Sequence, residues 1–218
     1  MACIPSSTGV CDAKGATLCF LAGTERLSHE SNFLGDRAQA AIFRAPDGDL
    51  VEQEQVRRLL ARCESRDEAL RLICDLAEET VPGAVAGVTI AQGNGSHIAT
   101  GVFPRLPQSF SDALRLLPMT PPFIGPCAQA ICKGEIVTST EISTETRFDA
   151  AWRGRCLGVG VASLQVVPVF AHEHRGALGT FVMAFWEPHE LASWKPSVMT
   201  PLAHWTRMVL EGVCPRLW

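Results

Sequence analysis

Gly125-Pro-Cys-Ala-Gln-Ala-Ile-Cys-Lys-Gly-Glu-Ile-Val137 is the stretch on which the reading of this chain turns. Pro126 suits the first turn of a helix, where its missing N–H would have no partner anyway. Gly134 is a natural C′ residue, able to take the left-handed conformation that ends a helix. Glu135 to Ser139 then reads as a short strand. The stretch is therefore a helix that stops abruptly and feeds a strand edge.

Working outward, Pro118 to Pro122 holds three prolines in five positions and cannot be regular structure. Upstream of it, Ser109 reads as the cap of a short helix through Leu117. Ala84 to Ala91 and Ser96 to Phe103, with Gln92-Gly-Asn-Gly95 between them, read as a hairpin. Ser65-Arg-Asp-Glu68 is a capping box, opening a helix to about Thr80 with Leu70, Ile73, Cys74 and Ala77 on its inner stripe. Val51 to Arg62 repeats apolar residues at helical spacing through Val56, Leu59 and Leu60. Downstream, Thr146-Arg-Phe-Asp149 reads as another N-cap, leading a helix through Trp152 and Cys156 to Gly158-Val-Gly160. Ser163 to Phe170 and Ala177 to Trp186 are two strands joined by a polar turn. Thr200-Pro201 opens a last helix with Leu202, Trp205, Met208, Val209 and Val213 on its apolar face. The order ααββ–α–αβ–αββ–α predicts an α/β (α+β) domain. It has a mostly antiparallel sheet of five or six strands, with paired terminal helices on one face and short helices and loops on the other.

Residues 1–50 show no sustained period, apart from one possible helix over Ser31 to Phe43. Pro46-Asp-Gly48 marks a boundary. The organisation expected is an N-terminal arm at 1–50, partly disordered or one helix, a domain at 51–214 and a tail at 215–218.

At 218 residues, 47% of them hydrophobic and with a net charge of −4, the chain has globular composition. It has no Lys/Arg block beyond Arg57-Arg58, which argues against direct nucleic-acid binding. No apolar run reaches the roughly 18 residues of a membrane span, and the first residues lack a signal-peptide pattern. The expected compartment is the cytoplasm. The nine cysteines show no paired spacing. Cys63, Cys74, Cys132 and Cys156 sit in apolar patterns and read as buried reduced thiols.

The blocks together resemble the GAF domain family. Gly125 to Val137 looks like its G-x-C-G-x-A-x-x-x-G-x-x-V block and Glu141-Ile-Ser-Thr-Glu-Thr-Arg-Phe148 like its D-I-x-x-D-P-R-F block. Trp152-Arg153, Gly158-Val-Gly160, Val167-Pro168-Val169 and Gly176-Ala-Leu-Gly-Thr180 through Pro188 follow in the family's order. The resemblance covers about 51–214 and is strongest to bacterial modules found beside histidine-kinase and cyclic-di-nucleotide output domains. Ala128, Glu141 and Gln165 depart from the family's usual Gly, Asp and, in close relatives, Trp. The family's cyclic-nucleotide constellation is missing, as is the Cys-His pair of bilin photosensors.

The resemblance implies a pocket between the sheet and the middle segment. Its walls would be Pro121 to Cys127, including Phe123 and Cys127, then Thr138 to Phe148, including Arg147 and Phe148, and then Trp152 to Cys156. Trp152, Arg153 and Cys156 would line that last wall. Val88, Ile90, Gln165 and Val167 would form the floor. Gln165 offers donors and an acceptor, and Arg147 and Arg153 are candidates for an anionic group. Cys127 opens a helix, where the dipole can lower a thiol pKa. His172-Glu-His174 reads as a solvated turn.

The function expected is a small-molecule-binding regulatory module without catalysis or an identified cofactor. It would act through a partner protein or a homodimer presenting Leu59, Leu202, Trp205 or Val209. Two alternatives are a ligand-free assembly factor and a thiol enzyme resembling methionine sulfoxide reductases, using Cys127 and Cys156.

Overall fold

The computed structural model describes residues 42–44, 50–93, 95–172, 176–190 and 196–212. The expected helix over 31–43 and the turn at Pro46 lie mostly outside these residues. Where they overlap, Ile42–Arg44 is a strand, β1, paired antiparallel with Leu50–Glu52, β2. Val51 therefore sits in a strand, and the first helix, α1, is confined to Gln53–Leu60.

The main helix, α2, spans Arg66–Thr80. Ser65 Oγ accepts from the Glu68 amide at 3.2 Å, and the Glu68 carboxylate reaches back to accept from the Glu64 amide at 2.7 Å. Two N-terminal donors are thus satisfied by the sequence pattern that predicted the cap. Ala84–Ala91 (β3) and Ile98–Val102 (β4) form the expected hairpin. Gln108–Leu114 (α3) begins one residue after Pro107, so Ser109 lies inside the helix and caps nothing. The Pro107 φ of −56° already suits a helix entry, which explains why no hydroxyl is needed.

Pro126–Lys133 (α4) has Pro126 in its first turn and Gly134 beyond its end at φ 66°. Val137–Ser139 (β5) follows, then a single 3-10 turn at Ile142–Thr144. Ala150–Gly158 (α5) is capped by Asp149, whose carboxylate accepts from the Ala151 amide at 2.7 Å; Thr146 plays no part in the cap. Ser163–Phe170 (β6) and Ala177–Phe185 (β7) pair along their whole length. The last helix, α6, starts at Pro196, four residues before the expected Thr200, and carries Pro201 inside it.

The five-stranded sheet runs β4-β3-β7-β6-β5 and every pairing is antiparallel. Pro168, which cannot donate to a ladder, lies past the end of the β5 pairing with Leu164–Val166. The sheet separates two apolar clusters. On one face Leu70, Ile73, Met199, Leu202, Trp205 and Val209 from α2 and α6 pack on Val88, Val167, Phe181 and Met183. On the other, Phe110, Leu114, Ile142, Phe148, Trp152 and Cys156 pack on Val85, Leu164, Val166 and Val182.

This layering corrects the expected dimer surface. Leu202, Trp205 and Val209 are buried against the sheet and face no second copy, and Leu59 is half-buried. An amphipathic stripe looks the same in sequence whether it covers a sheet or a partner.

Candidate functional site

The hollow predicted between the sheet and the middle segment exists, but it is small and its lining differs from expectation. Ile98, Leu114, Leu117, Pro118, Ile124, Gly125, Pro126, Cys127, Ala128 and Trp152 enclose about 20 Å³. That is room for a water molecule or two, against about 300–1,000 Å³ for a typical ligand site.

Strand register decides which sheet residues face the side of the hollow. Thr89 and Thr180 are cross-strand partners, both fully buried, with their hydroxyls 2.7 Å apart. They point to the same face as Val85 and Val182, which belong to the loop-covered cluster. A register irregularity between Ile90 and Ala91 brings Ile98 to this face as well. Val88, Ile90 and Val167, expected as floor, belong instead to the cluster under α2 and α6.

Gln165 is displaced in the same way. It stands opposite Met183 and Thr138, so it shares the face of Met183, away from the hollow, and its Nε2 donates to Thr138 Oγ1 at 3.1 Å. Its Oε1 is buried without a protein partner. A pocket role for Gln165 is ruled out by this parity. One residue of register moves a side chain through the sheet.

Cys127 stands where it was expected, in the first turn of α4 and in the wall of the hollow. The residue is half-buried, and the Thr180 and Thr89 hydroxyls lie close enough to its thiol to lower its pKa. Burial pushes the thiol pKa up, and those two hydroxyls offset the rise only in part. Desolvation thus opposes the lowering that a helix terminus would bring, and dominates it. Cys156, also buried, is pushed up to about 12 by burial first and then by its proximity to Cys127. Both are free thiols, as is Cys74, and Cys127 is half-buried.

Trp152 closes the hollow from α5. Its indole lies against Gly125, where an added Cβ would come within 2.7 Å of the ring. A side chain at 125 would push α4 and α5 apart. Phe148 meets Trp152 edge-on, ring centroids 5.2 Å apart, and both are almost fully buried. Phe123 is half-buried beside this cluster, while its neighbour Ile124 contributes to the lining.

The two arginines are engaged by their own chain. Arg147 Nε donates to the Glu145 carboxylate at 2.9 Å, and Nη2 donates to the Thr138 carbonyl at 2.6 Å. Its guanidinium also lies 5.2 Å from the centre of the Phe148 ring. Glu145 is held at about 2, first by the hydrogen bonds from Arg147 and against the opposing effect of burial. Arg153 Nη1 donates to the Glu145 and Phe148 carbonyls at 2.6 and 3.2 Å. Together they staple the 138–153 segment, and neither is among the residues lining the hollow. Among the described residues no three His, Cys, Asp or Glu side chains gather as a metal site. Of the His172-Glu-His174 turn, only His172 is described.

Sequence reasoning missed Ile98, Leu114, Leu117, Pro118 and Ala128. The apolar run Leu114-Arg-Leu-Leu117 before the prolines was the available signal.

No protein-family model matches the chain, and no curated protein sequence does. Solved structures do. The GAF domain of the Acinetobacter phosphoenolpyruvate-protein phosphotransferase is 16% identical with a TM-score of 0.52, covering 73% of this chain and 90% of its own. The GAF domain of the cyanobacteriochrome TePixJ is 16% identical at 0.51, covering 71% and 94%. The reduced form of fRMsr from Staphylococcus aureus is 13% identical at 0.53, covering 72% and 91%. At these identities the likeness concerns architecture, and with the five-stranded antiparallel sheet between two helical layers it establishes that the chain has the GAF fold.

Proposed function

We propose that this chain is a non-catalytic regulatory module that works through contact with another protein, with the hollow of its GAF fold filled by its own side chains. One observation carries the reading: the space beside Trp152 amounts to about 20 Å³, too little for a small-molecule signal. Trp152, Phe148, Ile142 and Cys156 pack together in the buried cluster beside it. The raised pKa values of Cys127 and Cys156 argue against a thiol nucleophile, since the thiolate is the reactive form. The free thiols at Cys74, Cys127 and Cys156 support a reducing compartment such as the cytoplasm. Among the described residues no helix is long and apolar enough to cross a membrane.

The test is native mass spectrometry of protein purified without denaturation, followed by thermal melts against a panel of small apolar and aromatic compounds. The expected result is the bare chain mass and no change in Tm. A stoichiometric co-purified molecule would overturn the contact reading.

A second reading, a small-molecule sensor whose site opens only with its ligand, has one observation in its favour. The Leu117–Pro118 wall of the hollow belongs to no helix or named strand and is held by a few backbone hydrogen bonds.

A further inference from the structure

The segment from Leu116 to Met119 both seals a sheet edge and walls the hollow. β4 is the edge strand of the five-stranded sheet. On its outer side the Leu116 amide donates to the Ile98 carbonyl at 2.9 Å. The Ile98 amide donates to the Leu117 carbonyl at 3.0 Å, and the Met119 amide to the Ser96 carbonyl at 2.9 Å. His97 and Pro118 complete an antiparallel bridge. The inner side of the same segment, through Leu117 and Pro118, faces the hollow with Cys127 and Trp152 opposite.

The strap begins under strain. Leu116 follows the end of α3 and takes φ 63°, the sole described non-glycine residue at positive φ. A residue with a Cβ pays for that conformation, and here no burial compensates, because Leu116 is 67% exposed. The strain is borne only while the strap is paired with β4. Release of Leu116 to ordinary φ would rotate the strap away from Ile98 and uncover the side of the hollow that holds the Cys127 thiol.

We propose that Leu116–Met119 is a strained gate that lifts transiently from β4 and exposes the Cys127 thiol to small neutral reagents. It holds whether or not the protein uses a natural guest, so it goes beyond the contact reading and does not rest on it.

The probe is N-ethylmaleimide, a neutral thiol reagent, with modification of each cysteine followed by peptide mass spectrometry on the full chain. Substitutions at Leu116 alter the strap without removing a buried side chain. Leu116→Asn, which tolerates the left-handed region, stabilises the closed strap and should slow labelling of Cys127 roughly fivefold. Leu116→Ile, β-branched and poorly suited to it, should speed labelling roughly fivefold. Cys74, on the buried side of α2 across the sheet, reports global unfolding and should keep its wild-type rate in both. Unchanged Cys127 rates in both variants overturn the gate. So does a change shared equally by Cys127 and Cys74, which would mean that the thiol is reached only by unfolding.

Discussion

The two faces of the sheet are built from different materials. Under α2 and α6, each 15 residues long, the covering layer is continuous helix, and residues such as Leu70, Phe181 and Leu202 are sealed. The opposite face is covered by helices of 7 to 9 residues, a 3-10 turn and a proline-rich connection. Long helices present a regular stripe that meshes with a pleated surface. Short ones meet at their ends, where side chains cannot interdigitate as well, and the hollow lies at such a junction: the start of α4, the side of α5 and the strap. The same sheet therefore carries a rigid layer and an adaptable one, and local openings belong to the second.

The largest effects should come from the rigid face. Phe181→Ala is expected to cost about 3–5 kcal/mol in urea unfolding, because Phe181 is fully enclosed. Leu117→Ala should cost only ~1 kcal/mol, since Leu117 is half-buried and already borders empty space. Equal losses would erase the contrast between the faces.

An intermediate effect probes the floor of the adaptable face. Thr180→Val leaves the Thr89 hydroxyl buried and short of its partner, and should cost about 1–2 kcal/mol. It also removes one of the two hydroxyls that temper the Cys127 thiol, so the Cys127 pKa should rise further in a pH-dependent thiol titration.

The smallest effect separates the faces by pH. Glu145, on the loop-covered side, titrates at about 2 in the fold against an ordinary 4.5. Its stabilisation is therefore complete above the unfolded value and is lost as pH falls from 4.5 toward 2. Glu78, on α2, is shifted the other way. Burial raises its pKa, with the Ala86 amide at 2.9 Å and Arg105 at 3.7 Å only partly opposing the shift. Its charged form costs stability as pH rises through the folded value. Glu145→Gln should flatten the acid limb of stability below pH 4.5 and cost ~1 kcal/mol or less at neutral pH, given that Arg147 is half in solvent. An unaltered acid limb would show that the Arg147 staple contributes nothing.

Much of the fold was legible because its signals are local. The Ser65 box, Pro126 and Gly134 each act within one helical turn, and all three do in the structure what their chemistry dictates. Errors came from a competing local signal and from neighbours in space. Ser109 is not a cap because Pro107 already sets the helix entry, and Val51 is in a strand because Phe43 is there to pair with it. At the site, Cys127 and Trp152 line the hollow. The floor was assigned to the wrong face because β3 and β6 are buried on both sides, which removes the alternation of polar and apolar residues that would have told the faces apart.

From the sequence alone came the kinds and order of the elements from α1 to α6, the Ser65 cap, the Gly134 stop and the segments that meet around Cys127. Only the tertiary structure decided which side of the sheet Val88, Gln165 and Thr180 join, that Leu202 and Trp205 face inward, and that the hollow is nearly closed. A cap or turn depends on residues within four positions of one another. Register parity and enclosed volume depend on contacts between residues as far apart as Thr89 and Thr180, and no local pattern encodes them.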